Sequence, residues 1–513
     1  MTQAETEADP VTSAKLVRGL GPVDATMIVM GSMIGSGIFI TSAESARLVG
    51  SPGWLLVAWA IAGLLTVTGA LCAAEVAAMI PRAGGQYVFL REAYGPSIGF
   101  LFGWATFLVV QTGTIAAVAV AFAKFLGVLV PTVSANAYPF FRPIHLGTTG
   151  YALSLSTQQL VAVVLVAFLT AVNTQGLRTG KAIQNTFTFT KTAALIALIV
   201  VGLAVGINRG SAAWTASWWT PSANGWSVEG AQKNLKVVGP LAFLLLLGKA
   251  MIGPLFSQTA WNSVTFTGGE IRDPGRTLPR ALILGCGTVV GLYLLANVAY
   301  LVTLPFDQIQ HAEQDRVGTA LMKVVLGPVG VSLMAVAIMI STFGCINGLV
   351  LSGARVLYAM ARDGLFFEKV ATTNRHQVPA VALVLQGAWA LFLVLPVTLT
   401  GDPKAPYGNT YTQLLSFLTP VDLTFYMLLV GSVVMLRRKA PKADRPYRTF
   451  AYPLPVIFYL TVAALLVADF IYLEPTTAGI GYAIALAGIP VYWLRSLSSR
   501  ARRPEPGPLG LDD

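Results

Sequence analysis

Hydrophobic and polar positions along this chain alternate on a scale far longer than a helix turn or a strand repeat. Twelve apolar runs, at about 21–47, 53–80, 97–130, 157–172, 183–206, 237–268, 278–303, 328–362, 378–399, 411–436, 453–473 and 478–495, are separated by segments that hold nearly all the charges. Most approach or exceed the roughly 20 residues that a helix needs to cross a bilayer. The pattern predicts an all-α membrane protein of twelve transmembrane helices, with a polar N-terminal tail (1–20) and a basic, Pro-rich C-terminal tail (496–513).

Two of the runs are interrupted by residues that helices avoid. The first contains Gly31-Ser32-Met33-Ile34-Gly35-Ser36-Gly37-Ile38-Phe39. An interior glycine costs a helix about 1 kcal/mol relative to alanine, and backbone freed at membrane depth must be buried in protein or line a polar cavity. A break here would leave the N–H groups of Gly35, Ser36 and Gly37 at the start of a second half-helix, where unpaired donors and the helix dipole favour a carboxylate. A close helix–helix contact through Gly31 and Gly35 is the alternative. In the sixth run Pro254 removes a helical hydrogen bond, and Ser257, Gln258 and Thr259 come after it.

The two interrupted runs each open a set of five. This predicts a 5+5 inverted repeat, residues 21–206 and 237–436, followed by two further helices in 453–495. Helices 1 and 6 are then unwound at mid-membrane and face each other across a transport site. Paired breaks can read a zwitterion with backbone alone, the carboxylate on a helix start and the ammonium on exposed carbonyls.

Composition narrows the class further. The 513 residues are 55% hydrophobic and 11% charged, with mean hydropathy +0.68, against about 25% charged in soluble proteins. The net charge of +11 does not point to nucleic acid, because the charges segregate by loop. Segments on the N-terminal side hold 23 of the 34 Lys and Arg, the opposite loops hold 8, and Lys124, Lys191 and Lys249 lie in apolar runs. Both termini are therefore expected in the cytoplasm. Cys72, Cys286 and Cys345 fall in apolar runs with no metal-site spacing, and the three histidines are scattered in loops. Neither an enzyme, a metal nor a cofactor is expected.

Polar residues at depth mark candidate positions. Lys191 sits about 12 Å into the fifth run at helical rise and shares a face with Gln184 and Thr188. It either snorkels to the surface or bridges the helix 1 break and helix 8 residues such as Ser341 and Thr342. Asp422 comes shortly after Pro420 and reads as a helix N-cap, or else as a proton-titrating group. Lys249 is expected at the interface or in an outer vestibule, and Lys124 at the interface.

Several motifs carry a resemblance beyond these physical readings. They are Gly35-Ser36-Gly37-Ile38-Phe39, Pro81-Arg-Ala-Gly84-Gly85-Gln-Tyr87, Asn173-Thr-Gln-Gly176, Phe256 with Trp261, and Glu270-Ile-Arg-Asp-Pro274. Ser341-Thr-Phe-Gly344-Cys-Ile-Asn347-Gly348, Arg355, Arg362-Asp-Gly364 and Arg445-Pro446-Tyr447 continue the series. In this order the chain resembles the amino acid–polyamine–organocation superfamily, most closely its L-type amino acid transporter branch and bacterial relatives.

The resemblance implies the leucine-transporter-type fold and amino acid uptake or exchange. It puts the substrate at Met33, Ile34, Gly35, Ser36, Gly37, Phe256, Ser257, Gln258 and Thr259, with the carboxylate on the first break and the ammonium on carbonyls near Met33, Phe256 and Thr259. Phe256 becomes an inner gate, Gln111 or Thr112 of helix 3 flanks the ligand, and Glu75 is an inner-gate or structural ion-pair residue. Lys191 resembles a built-in substitute for a sodium ion, which implies sodium independence with proton symport or exchange. At the second break Ser257-Gln258-Thr259-Ala260 departs from the family's smaller residues, and Asp422 departs from its usual apolar or aromatic residue.

The expected protein is thus a carrier of amino acids, neutral ones in preference to acidic ones, in a plasma membrane of bacterial inner-membrane type, in contact with lipid. Animal relatives pair with a glycoprotein through a cysteine after helix 3. Residues 131–156 hold none, so no covalently linked heavy chain is expected. A polyamine or organic-cation carrier would want acids in the pocket, and runs 1, 3 and 6 offer none near their centres. An amino acid sensor without net flux would usually need an added signalling segment.

Overall fold

The computed structural model describes residues 19–147, 150–208, 217–232, 235, 237–399, 407–408 and 410–498, so most of both expected tails lies outside the described residues. Each of the twelve apolar runs contains a helix. The first run is a pair, α1 (Pro22–Met33) and α2 (Gly37–Val49), meeting at a 40° bend. There come next α3 (Pro52–Met79), a short α4 (Gln86–Tyr94), α5 (Pro96–Leu129), α6 (Thr157–Asn173), α7 (Leu177–Asn208) and α8 (Pro240–Ser257). The rest comprises α9 (Pro274–Thr303), α10 (Val317–Arg362), α11 (Ala380–Leu393), α12 (Thr410–Lys439), α13 (Leu454–Leu473) and α14 (Pro475–Arg495). Among the described residues nine helices are long and apolar enough to cross a membrane, or ten if the bent pair is one span; α6 and α11 are shorter.

Four departures from the expected layout have local causes. α10 starts at Val317 rather than near 328, and bends at Gly327 (φ 61°) just before Pro328. The ninth run is helical only to Leu393. Its end, Pro396–Thr398, is a strand pairing antiparallel with Tyr151–Leu153, which pairs in turn with Ile144–His145. In the sixth run Pro254 lies inside the helix, and the backbone leaves helical form only after Ser257, resuming at Ser263–Phe266 with Ala260 at φ 65° between. α4, a loop by its sequence pattern, is held by a turn in which Gly84 (φ 97°) and Gly85 (φ 45°) occupy the left-handed region. A Cβ on Gly85 would also meet the Thr265 carbonyl carbon at 2.5 Å, so glycine is required there twice over.

The core is continuous through the bundle. α9 packs along α3 and α1, α10 against α5 and α7, and α2 against the second part of α8. The bent pair is thereby enclosed by α7, α8, α9 and α10.

Candidate functional site

The break in the first run is built from both of its ends. Ile34, at ψ 89°, turns the chain out of α1, and Ser36 opens α2. The last carbonyls of α1 have no intrahelical donors, and other helices supply them. Lys191 Nζ of α7 donates to the Gly31 carbonyl and Cys345 Sγ of α10 to that of Ser32 at 3.3 Å. Tyr293 of α9 reaches the Met33 carbonyl at 2.9 Å. Ser341 of α10 lies 3.1 Å from the Ile34 carbonyl and 3.3 Å from that of Gly35. The Lys191 side chain, 1% exposed and with no carboxylate within ion-pair distance among the described residues, places its ammonium on the negative end of α1.

The start of α2 is treated differently. The Gly35 N–H is taken by the Met33 carbonyl at 2.9 Å. The N–H groups of Ser36 and Gly37 meet no acceptor among the described residues. Gly37 lies directly on the end of α8, where an added Cβ would overlap Ser257 Oγ and stand 2.9 Å from its Cα. A Cβ on Gly31 would overlap only side-chain ends, Gln184 Nε2 and Thr188 Oγ1, while a Cβ on Gly35 would meet only the Cys345 side chain, its Sγ at 3.2 Å, at close range. None of the three has a positive φ. The break and the close packing therefore coexist, and glycine is needed here for proximity rather than for backbone freedom.

On the other side of this contact the chain from Gln258 to Asn262 carries its own orphans. The Phe256 carbonyl already accepts from Thr259 N and Oγ1 (3.2 and 2.8 Å), whereas the carbonyls of Gln258 and Thr259 meet no donor among the described residues. Gly37, with its free N–H, thus meets Ser257, the residue that precedes the free carbonyls of Gln258 and Thr259. Of the expected ammonium acceptors, Met33 and Phe256 are occupied here and Thr259 is open. Phe256, 6% exposed, meets Tyr411 of α12 edge to face at 5.9 Å, and Ser36 Oγ donates to the Tyr411 hydroxyl at 3.2 Å.

Two cavities of about 20 Å³, each with room for a water, flank this segment. Thr66, Gln258, Thr259, Thr419 and Asp422 line one; Thr106, Gln111, Thr259, Asn262 and Asp422 line the other. Asp422 is 8% exposed, makes no hydrogen bond among the described residues and faces both. It does not cap a helix: α12 runs unbroken from Thr410 through Pro420 to Lys439. Gln111 also lines the second cavity, and its Nε2 donates to the Leu349 carbonyl at 2.7 Å.

Other expected positions lie elsewhere. Thr342 bonds back to Ile338 and Met339 within α10 and does not meet Lys191. Lys249 pairs with Glu474, the residue after α13, at 2.6 Å and with Gln232 at 2.7 Å. Lys124 is 7% exposed and lines a cavity. Glu75 takes a two-pronged bond from Arg437 (2.8 and 2.7 Å) and one from Thr449 N at 2.7 Å, clasping α3 to the end of α12 and to the segment after it. Breaking a buried pair of this kind costs roughly 2–4 kcal/mol, less than the full figure because Arg437 is partly exposed. Glu75→Gln is therefore expected to lower the thermal unfolding midpoint while leaving substrate affinity within about threefold. Calorimetry beside ligand binding checks this, and a large affinity loss at unchanged stability would contradict the clasp.

Several residues of the site escape a reading of the sequence. Asn262 donates to Gln86 Oε1 at 2.6 Å and accepts from the Tyr426 hydroxyl at 3.0 Å, which fixes the interrupted segment to α4 and α12. Tyr426 also stacks at 5.0 Å on Trp261, which the sequence motifs do mark. Tyr293, Tyr300 and Tyr411 all bond to the broken pair through hydroxyls. The signal available is a buried tyrosine in an apolar run, whose hydroxyl must find a partner.

Comparison with known proteins gives concordant matches. A family described as amino acid permease matches residues 20–494. The large neutral amino acids transporter small subunit 2 of Homo sapiens is 30% identical over 481 residues, covering 93% of this chain and 80% of its own. The serine/threonine exchanger SteT of Bacillus subtilis (strain 168) is 28% identical over 481 residues, 93% of this chain and 97% of its own. The Asc-type amino acid transporter 1 of Mus musculus is 30% identical over 488 residues, with 93% and 81% covered.

Proposed function

The chain belongs to the amino acid permease family, and from that premise we propose that it carries neutral amino acids across a plasma membrane by alternating access. The observation that supports this reading most is the set of unpaired peptide groups at the two breaks. Ser36 and Gly37 offer N–H groups at a helix start, and Gln258 and Thr259 offer carbonyls just beyond Ser257, which Gly37 touches. A carboxylate suits the first pair and an ammonium the second. Phe256 and Tyr411 stand at the junction as a gate. In this reading the twelve helices form two inverted repeats of five plus two, both termini are cytoplasmic, and no heavy chain is disulfide-linked.

Sodium independence follows from Lys191. Its ammonium sits where a cation would neutralise the end of α1, so a bound sodium has no vacant role there. The relatives' printed names, a large neutral amino acids transporter and a serine/threonine exchanger, support neutral substrates, and the second supports exchange. The test is uptake of labelled amino acids into proteoliposomes, with and without an amino acid inside, in sodium and in potassium buffer. Flux of neutral amino acids that needs an internal partner and ignores sodium supports exchange. Flux that tracks a proton gradient without one supports symport, and binding without any flux would establish a sensor instead.

A second reading is favoured by Asp422. Its unpaired carboxylate faces both cavities beside the break, and supplies the acidic group that a polyamine or a cationic side chain would want. Asp422→Asn is expected to weaken any competition by lysine or putrescine about tenfold, the loss of one charge-assisted bond, while sparing neutral amino acids. Equal competition by cationic ligands in both proteins would remove this reading.

A further inference from the structure

Away from the breaks, the end of α5, the start of α6 and the hairpin leading into α10 enclose a cavity of about 950 Å³. Its wall includes Lys124, Arg316 and Lys323 but a single carboxylate, Glu313. That carboxylate is 83% exposed and bonded to Arg316 at 3.1 Å, and the neighbouring Asp315 is committed to Arg47 at 2.8 Å. Lys124 is 7% exposed and has neither hydrogen bond nor ion pair among the described residues. Asp315 and Glu44 act on it only through space, as do the opposing charges of Arg47 and Arg316. An ammonium largely removed from water is costly without an acceptor, so this wall is arranged for more negative charge than the protein itself provides.

One side of the same cavity is apolar. Val128, Val324, Pro328 and Val331 line it, and beside them Leu326, Val329 and Leu333 are 50–66% exposed. Val329 and Leu333, four residues apart, share a helix face. Cations in a crevice with bare aliphatic surface next to it match an amphiphile with an anionic head. We propose that the cavity binds the phosphate of an anionic phospholipid, the oxyanion meeting Lys124 and Lys323 and the acyl chains lying along Val329 and Leu333.

The bound headgroup would brace a segment already tied to the transport helices. Arg47 at the end of α2 bonds the Gln310 carbonyl and Asp315, and Gln310 Nε2 bonds the Ala46 carbonyl. Occupancy therefore steadies α2 from its far end.

The test is thermal unfolding of the purified full chain in neutral detergent. Phosphatidylglycerol, phosphatidylcholine of the same chain length, and inorganic phosphate are added separately, and phosphatidylglycerol retained through purification is counted. Phosphatidylglycerol is expected to raise the unfolding midpoint where phosphatidylcholine does not. Lys124→Gln with Lys323→Gln should weaken that effect about tenfold and lower the retained lipid to match. Should the double variant fold poorly, Lys323→Gln alone should still weaken the effect. Equal stabilisation by phosphatidylcholine, or an undiminished phosphatidylglycerol effect in the folded variants, overturns the proposal. Stabilisation by inorganic phosphate alone overturns the lipid and assigns the cavity to a soluble oxyanion.

Discussion

Gly37→Ala should abolish measurable substrate binding, while Gly35→Ala should leave it within about threefold of the unmodified protein. The two substitutions add the same methyl group two residues apart, so the contrast comes from their surroundings. At Gly37 the methyl overlaps Ser257 Oγ and meets its Cβ and Cα at 2.6 and 2.9 Å. The last of these is backbone, which no rotamer change moves, so α2 must separate from α8. Overpacking of this kind costs about 1–3 kcal/mol in stability, but the elements displaced are the two that carry the unpaired donors and acceptors. At Gly35 the methyl meets only the Cys345 side chain at close range, with Sγ at 3.2 Å and able to give way. Ser257→Gly added to Gly37→Ala should restore part of the binding by removing the two nearest atoms. Equilibrium binding of a labelled neutral amino acid, with an unfolding midpoint for each variant, decides the matter. Normal binding by a folded Gly37→Ala protein would mean that α2 and α8 do not meet as described.

Lys191→Ala is the second large effect expected. The substitution strips the Gly31 carbonyl of its donor and the end of α1 of its countercharge. An unsatisfied buried acceptor costs about 1–3 kcal/mol, but stability is the smaller consequence, since a desolvated ammonium is removed as well. The larger one is positional: α1 loses the group that holds its end against α7. Transport is expected to fall roughly a hundredfold, with a smaller loss in an arginine variant that keeps the charge. The readout is initial uptake rate in proteoliposomes against expression-matched controls. Strong sodium stimulation of the unmodified protein, together with normal transport by Lys191→Ala, would end the assignment.

Much of this arrangement is legible in the residues because membrane depth makes polar groups conspicuous. Glycine, serine and lysine inside apolar runs pick out the first break and Lys191, and Ser257-Gln258-Thr259 marks the second. The physical reasons differ in part from those the pattern suggests. In sequence the glycines of the first break read as permission for unusual backbone, but Gly31 and Gly37 are needed because Gln184 and Ser257 press against them. Pro254 reads as the second break, yet the helix continues for three more residues, because α8 turns at Met251 and Pro254 falls in the first turn of its last part, Ile252–Ser257, where a proline displaces little that was bonded.

The cap reading of Asp422 fails for a related reason. Pro420 is accommodated within α12, so the residues after it belong to a helix interior and not to a helix start. Long-range partners are out of reach of any local pattern. Nothing near Lys249 points to Glu474, 225 residues away, or from Gln86 to Asn262, 176 away. The small sheet joining Tyr151–Leu153 to Pro396–Thr398 is hidden likewise, because short strands in loops show too few residues for a period to register.

Whether main-chain groups of two interrupted helices hold both charged ends of the substrate is tested most directly by competition binding. The competitors are an accepted amino acid, its decarboxylated amine and its deaminated acid. Each truncated analogue is expected to compete at least about a hundredfold more weakly than the amino acid, because each leaves one set of peptide groups unpaired. An amine or an acid that competes as well as the intact amino acid would contradict a backbone cradle for the zwitterion.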